Sequence, residues 1–165
     1  MSEEELYGVI WTYQIRYGSA RGGYALAITS DRILGAAKSA FSHSLVIYLG
    51  PGSKATDKQR IEAQQVAQEL KEIHELEMRK ESVTRIDWLK EGFWSGGHFR
   101  FTTADGTIQI DTVSSNFGKA GVHNTAGQLM DALELLAPDR FYNEKTGVLI
   151  ETEAKNWMQT HKVRR

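Results

Sequence analysis

The sequence predicts an α+β protein in which a bent antiparallel β-sheet, or partly open barrel, of about seven strands carries a long inserted helix and a C-terminal capping helix. Apolar and polar residues alternate in several segments separated by turn-forming residues, which indicates strands. Two other stretches place apolar residues at spacings of three and four behind a capping box, which indicates helices. The 165 residues suffice for one domain with its own hydrophobic core.

The N-terminal third supplies the first predicted strands. Alternation runs from Val9 to Tyr17, resumes at Tyr24 after a glycine-rich connection, and continues to Ile28. The segment from Thr29 to Arg32 is rich in side chains that bond to nearby backbone groups, so it predicts a hairpin turn. A third strand starting at Ile33, with small residues that permit a bend or close packing, and a fourth from Leu45 to Leu49 would complete a meander.

The long helix is predicted to begin behind Thr56, which forms a capping box with Gln59, and to continue to about Lys80. At about 1.5 Å per residue, such a helix would be roughly 35 Å long. Its apolar stripe is expected to pack on the sheet, and the alternative is self-association through that stripe, with Leu70 and Ile73 as contact residues.

Further strands are predicted after the helix. Val83, Ile86 and Trp88 keep an imperfect alternation that a bulge or a helix end would explain. A clearer hairpin surrounds Asp105-Gly106. Thr125 and Gln128 then form a second capping box, and the helix behind it is expected to stop before Pro138 and to cover an apolar surface.

These elements define a predicted domain over residues 6–142 with a helical insertion over 56–81. Residues 143–165 are predicted to form a C-terminal extension with a short helix from Glu151 to Gln159 and a basic tail.

Composition excludes several functional classes. A net charge of −1 argues against a nucleic-acid-binding chain, and the absence of cysteine excludes disulfides and thiol catalysis. The acidic N-terminus does not resemble a secretory signal, and the longest aliphatic or aromatic run, from Leu45 to Leu49, is too short to cross a bilayer. A cytoplasmic protein without a transmembrane segment is the expectation.

Basic residues dominate locally between Leu6 and Thr56, where Asp31 is the acidic residue. Such a segment could favour an anionic partner, and the alternative is an ordinary solvated surface balanced by the acidic helix that follows. The candidate anion-binding residues are Arg16, Arg21, Arg32 and Lys54.

The stretch Gly50–Thr56 connects a predicted strand to a helix, where backbone N–H groups and Lys54 could hold a phosphate. Ser53 separates Gly52 from Lys54, whereas the Walker pattern requires Gly-Lys directly before Ser or Thr. An ordinary connection is therefore favoured over a nucleotide site.

No catalytic residue, metal ligand or cofactor site is assigned from the sequence. The histidines occur singly, and no pair has the spacing of a metal site. His98 is expected on the polar side of its strand, and His123 in the loop before the last helix. A triad assembled in space remains an open alternative, but the Gly-x-Ser-x-Gly pattern is absent, so a non-catalytic role is favoured over an enzyme.

Aromatic residues cluster around Glu91–Phe99. Most of them are expected in the core, because aromatic side chains bury the largest area. Trp94 is next to Ser95-Gly96-Gly97 at an expected hairpin tip, so it is the candidate for an exposed interface residue.

Three or four strands, a further three and a capped helix form the order of pleckstrin-homology (PH)-like folds. The segment Ala27–Gly35, "AITSDRILG", resembles the recurring hairpin of GRAM and bacterial PH domains, and Asp105-Gly106 falls where those families often turn. The resemblance covers roughly Val9 to Ala137, and the long inserted helix departs from it. An unrelated α+β sheet protein is the structural alternative.

The resemblance implies a non-catalytic module that contacts a protein partner, forms homo-oligomers or weakly binds an anionic lipid headgroup. The dense Lys/Arg pattern of phosphoinositide binders is missing, which favours the protein-binding role. The functional alternative is a small-molecule sensor or enzyme with a ligand cleft between sheet and helix.

Overall fold

A computed structural model describes residues 3–18, 22–39, 45–90, 96–112 and 123–150, with the side chains of the last range given from Gln128 onward. The described residues form two five-stranded sheets, two α-helices and a short 3₁₀ turn (Lys80–Ser82), and the sheets do not close into a barrel. Sheet A has the strand order β5 (Leu45–Tyr48), β1 (Leu6–Thr12), β3 (Tyr24–Thr29), β4 (Arg32–Ala37), β6 (Leu76–Arg79). Sheet B has the order β10 (Phe141–Asn143), β7 (Val83–Leu89), β8 (Gly97–Thr103), β9 (Gly106–Thr112), β2 (Ile15–Arg16).

The helices are α1 (Asp57–Ile73) and α2 (His123–Leu136), and each makes its main contacts with strands of sheet A. Buried residues of α1 pack on one side of that sheet; they are Ala63, Val66, Ala67 and Leu70. The larger core lies between the other side of sheet A, the inner face of sheet B and α2, where Phe99, Phe101 and Leu133 are each 1% exposed.

The predicted first strand is divided in two. Tyr13 and Gln14 form a corner that takes the chain from β1 in sheet A to β2 in sheet B. The Gln14 N–H donates to Thr12 Oγ1 at 3.2 Å within this corner. One continuous alternating segment can thus serve both sheets, because the alternation does not reveal where the chain changes partners.

The predicted hairpin between β3 and β4 is confirmed. Thr29 Oγ1 accepts hydrogen bonds from the N–H groups of Asp31 and Arg32 at 3.1 and 3.0 Å, so the polar side chain makes the turn as expected. The predicted meander is wrong at its fourth strand, because β5 pairs with β1 and not with β4. The edge of β4 is instead paired with β6.

The predicted start of α1 is confirmed, because Thr56 and Gln59 form both hydrogen bonds of the capping box. The predicted end near Lys80 is wrong. The helix stops at Ile73, which makes it about 26 Å long, and Leu76 and Met78 become buried residues of β6. Only part of the predicted 56–81 insertion is therefore helical.

In sheet B, the bulge suggested for the segment around Val83 is confirmed, because β7 shifts register against β8 between Val83 and Arg85. The hairpin of β8 and β9 is also confirmed, with Ala104 and Asp105 in the turn and Gly106 opening β9 at φ +133°. The three-residue strand β10 pairs in parallel with β7, an exception to the antiparallel arrangement predicted for the sheet.

Helix α2 covers the core as predicted and ends before Pro138. It begins at His123, so the prediction that His123 lies in the preceding loop is wrong, and Thr125 lies inside the first turn and not at the N-cap. Strand β10 crosses the predicted domain boundary at residue 142. The predicted helix from Glu151 to Gln159 and the basic tail fall outside the described residues. Within the described ranges, no helix is long and apolar enough to span a membrane.

Candidate functional site: the outer face of sheet B

Alternation along β8 positions the candidate site. Phe99 and Phe101 point into the core, so His98 and Arg100 lie on the opposite side of the sheet, which we call the outer face. The register places Asp111 of β9 beside His98 and Arg16 of β2 beside Asp111. The prediction that His98 lies on the polar side of its strand is therefore confirmed.

A shared carboxylate holds two of these side chains. Glu144, directly after β10, has its Oε1 2.8 Å from His98 Nε2 and accepts a hydrogen bond from Arg100 Nη1 at 2.6 Å. Hydrogen bonding to His98 lowers the pKa of Glu144 most, and the positive charge of Arg100 lowers it further, although burial opposes both effects. The carboxylate is thus favoured in its charged form.

The network continues across the sheet. Arg100 Nη2 donates to Gln109 Oε1 at 3.2 Å, and Gln109 Nε2 donates to Asp111 Oδ1 at 2.8 Å. On the same face, at neighbouring strands β7 and β10, the Arg85 guanidinium lies 4.0 Å from the Tyr142 ring centroid and donates to Asp87 at 2.9 Å. These bonds hold several charged groups in fixed orientations on one face, an arrangement suited to recognising polar groups of a partner.

The chemistry of this face is hydrogen bonding and charge pairing. Among the described residues, no group of three or more His, Cys, Asp or Glu side chains could hold a metal ion.

The predicted anion-binding residues are not brought together. Arg16 is exposed on β2 at the edge of the outer face. Arg32 opens β4 near the start of β1, because Leu6 at that start pairs with Thr29, just before the turn that leads to Arg32. Arg16 follows the other end of β1, and β1 is about 20 Å long. Arg21 is outside the described residues.

Arg32 belongs to a structural ion-pair cluster. Its Nε donates to Glu4 at 2.9 Å, and its Nη1 lies 3.5 Å from Glu77. Burial alone would raise the pKa of Glu4, but hydrogen bonds from Arg32 and Thr29 lower it overall. The guanidinium is therefore already engaged with carboxylates of this chain.

Lys54 is exposed in the connection before α1, and that connection is bonded internally. Ser53 Oγ donates to Tyr48 O at 2.6 Å, and Tyr48 Oη donates to Pro51 O at 2.7 Å. The N–H of Gln59 is already bonded to the Thr56 side chain. These contacts match the ordinary strand-to-helix connection that the sequence favoured.

The predicted interface residues also separate. Leu70 is 0% exposed in the core beneath α1, so its side chain is not accessible to a partner, whereas Ile73 is 49% exposed. Trp94 lies outside the described residues. The alternative function would place a ligand between a helix and a sheet. The seam between α2 and sheet A is lined mainly by apolar residues together with Gln128, and it leaves essentially no room for a water-sized molecule.

Sequence reasoning missed Arg100, Gln109, Asp111 and Glu144. The first three could have been found, because they occupy polar positions of a correctly predicted hairpin. Glu144 gave no signal, since it is 46 residues from His98 in the chain. Comparisons of the chain with protein-family models, curated proteins and solved structures gave no match.

Proposed function

We propose that this chain is a non-catalytic, PH-like binding module that contacts a protein partner through the outer face of sheet B. The carrying observation is that both helices pack mainly on sheet A, while the outer face bears an ordered network of charged side chains. Within the described residues, neither helix makes its main contacts with sheet B, so a partner could reach this face without displacing α1 or α2.

The charges on this face suit a protein better than a polyanion. Arginines and carboxylates are interspersed across it; they are Arg16, Arg85 and Arg100 with Asp87, Asp111 and Glu144. A mixed pattern gives specificity through complementary charges, whereas a nucleic acid or an anionic membrane is attracted by an excess of positive charge.

Crosslinking capture from a cell lysate with the full chain as bait tests the proposal. The face variant is Arg16→Glu with Arg85→Glu, and the matched control is Lys58→Glu with Arg60→Glu on exposed positions of α1. Both variants carry the same charge change, and circular dichroism and melting temperature check that both remain folded. A partner that binds the outer face is expected with wild type and control but reduced about tenfold or more with the face variant. Equal capture by all three proteins would contradict the proposal.

Vesicle flotation distinguishes protein binding from the alternative of binding to an anionic lipid headgroup. The proposal predicts no difference between anionic and neutral vesicles at either of two salt concentrations. Salt-sensitive flotation on anionic vesicles would instead favour headgroup binding, and its loss on substitution of Arg16, Arg21, Arg32 or Lys54 would identify the residues.

A further inference from the structure

Strand β6 forms an edge of sheet A in the described residues, and the Arg79 C=O at its end already accepts a hydrogen bond from Ser82 Oγ at 2.9 Å. The Lys80 N–H donates to Asp31 O at 2.9 Å, and Arg79 and Glu77 lie opposite Arg32 and Leu34. Hydrogen-bonded pairs alternate with non-hydrogen-bonded pairs in an antiparallel ladder, so the N–H and C=O of Glu77 and the N–H of Arg79 point away from β4 and are the groups left for a further strand.

The other sheet edges are arranged differently in the described residues. At β5, the outward N–H of Tyr48 is bonded to Gln128 Oε1 of α2 at 3.1 Å. At β10, the chain turns back and runs beside the strand up to Ile150. The Asn143 N–H donates to the Val148 carbonyl, and the Ile150 N–H donates to the Phe141 carbonyl. Strand β2 has only two residues. Strand β6, whose main contacts in this part of the chain are with β4, is thus the edge best placed to accept another strand.

The side chains of β6 are complementary to themselves. Glu77 and Arg79 point to the same side of the sheet, where Arg79 Nε lies 3.2 Å from Glu77 Oε1 of the same chain and the Arg79 side chain remains 63% exposed. If two copies of β6 run antiparallel around a two-fold axis at Met78, Glu77 of each copy faces Arg79 of the other. Opposite charges directly across from each other stabilise a strand pair.

The backbone geometry agrees with the same axis. In this register Arg79 of each copy faces Glu77 of the other, so the outward Arg79 N–H of each copy can donate to the Glu77 C=O of the other.

We propose that β6 pairs with β6 of a second copy of this chain, joining the two A sheets into one continuous sheet. The pairing is isologous, since the same residues are used on both sides. It uses a different surface from the outer face of sheet B and does not depend on the proposed partner binding there.

Light scattering over protein concentrations from about 10 µM to about 1 mM tests the pairing, because so short a strand contact is expected to be weak. The average mass of the wild type should rise with concentration from the chain mass of 18.6 kDa towards twice that value. Arg79→Pro should stay at 18.6 kDa throughout. The φ angle of Arg79 is −76°, which proline accepts, and its N–H is not used by β4, so the substitution should leave the single chain folded.

Two further variants keep the result interpretable. Arg79→Ala retains the N–H and loses only the charge, so it should weaken association about threefold to tenfold without abolishing it. Arg79→Glu places two carboxylates opposite each other and should abolish it even if Arg79→Pro proves unstable. A wild type that stays at 18.6 kDa at the highest concentration, or an Arg79→Glu protein that still dimerises, would overturn the proposal.

Discussion

Close packing at Gly35 shows how a single residue limits this core. The Tyr24 ring lies across the backbone of β4, and a Cβ built on Gly35 would be 2.7 Å from Tyr24 Cε2 and 3.0 Å from Leu26 Cδ2. Both neighbours are almost fully buried, at 0% and 2% exposure, so neither can move aside freely. The sequence prediction that this small residue permits close packing is confirmed, and the structure identifies the residue that fills the space.

Gly35→Ala is therefore expected to lower the free energy of unfolding by about 1–3 kcal/mol, the usual cost of overpacking a core. Urea unfolding followed by tryptophan fluorescence measures the change. Gly96→Ala is the matched control, since a Cβ there would be in ordinary contact, 3.4 Å from Thr112 O, and should change stability by less than about 0.5 kcal/mol. Equal stability of the two variants would contradict this account.

Some residues of the candidate site could be predicted from the sequence, and others could not. The alternation of β8 was sufficient to place His98 on the polar side of the sheet, because a strand has only two sides. It could not supply Glu144, whose position depends on the parallel pairing of β10 with β7. A bond across 46 residues leaves no local pattern to read.

At the scale of elements, the capping box of α1 was predictable because its partners are three residues apart. Thr56 Oγ1 accepts from the Gln59 N–H at 3.2 Å, and Gln59 Oε1 accepts from the Thr56 N–H at 2.8 Å. Thr56→Ala is expected to destabilise the protein by about 1 kcal/mol, because it leaves a helix N–H without its side-chain acceptor. Thermal and urea unfolding would measure the loss.

Thr56→Ser keeps the hydroxyl oxygen and serves as the control for that substitution. It should retain most of the wild-type stability, since serine is an equally good N-cap residue. If serine and alanine destabilise to the same degree, the methyl group of Thr56 and not its hydrogen bond would be responsible.

The end of α1 was harder to predict than its start. Leu76 fitted a helical spacing, but it lies on β6, where Leu76 and Met78 alternate with exposed residues. His74 leaves the helix with ψ +142°, and the next residues pair with the free edge of β4. Strand pairing with a distant segment overrides local helix propensity here.

At the scale of the whole molecule, the types of the elements were more predictable than their pairing. Strand β5 has the apolar composition expected of a strand beside either β4 or β1, and composition does not choose between them. The sequence also gives no sign of the corner at Tyr13 and Gln14, because one pattern of alternation runs through both flanking strands. Pairing follows from how the two sheets enclose a common core, which is a property of the complete chain.

The pH dependence of stability is also a whole-molecule property, and two buried tyrosines predict its alkaline limit. Tyr24 and Tyr48 are 0% and 6% exposed. Burial raises the pKa of both above the usual value of 10.0, with help from the negative charge of Glu75 near Tyr24 and of Asp131 near Tyr48. The folded protein thus retains these protons at pH values where the unfolded chain releases them.

Because the unfolded state loses protons first, the stability contributed by these tyrosines should be fully present below about pH 10 and decline as the pH rises above it. Urea unfolding between about pH 9 and about pH 11.5 measures the decline. Tyr24→Phe removes one of the two buried hydroxyls and should make the alkaline decline shallower, whereas Tyr13→Phe, at a position 47% exposed, should leave its slope unchanged. If the Tyr24→Phe slope matches wild type, the burial of the Tyr24 hydroxyl does not control alkaline unfolding.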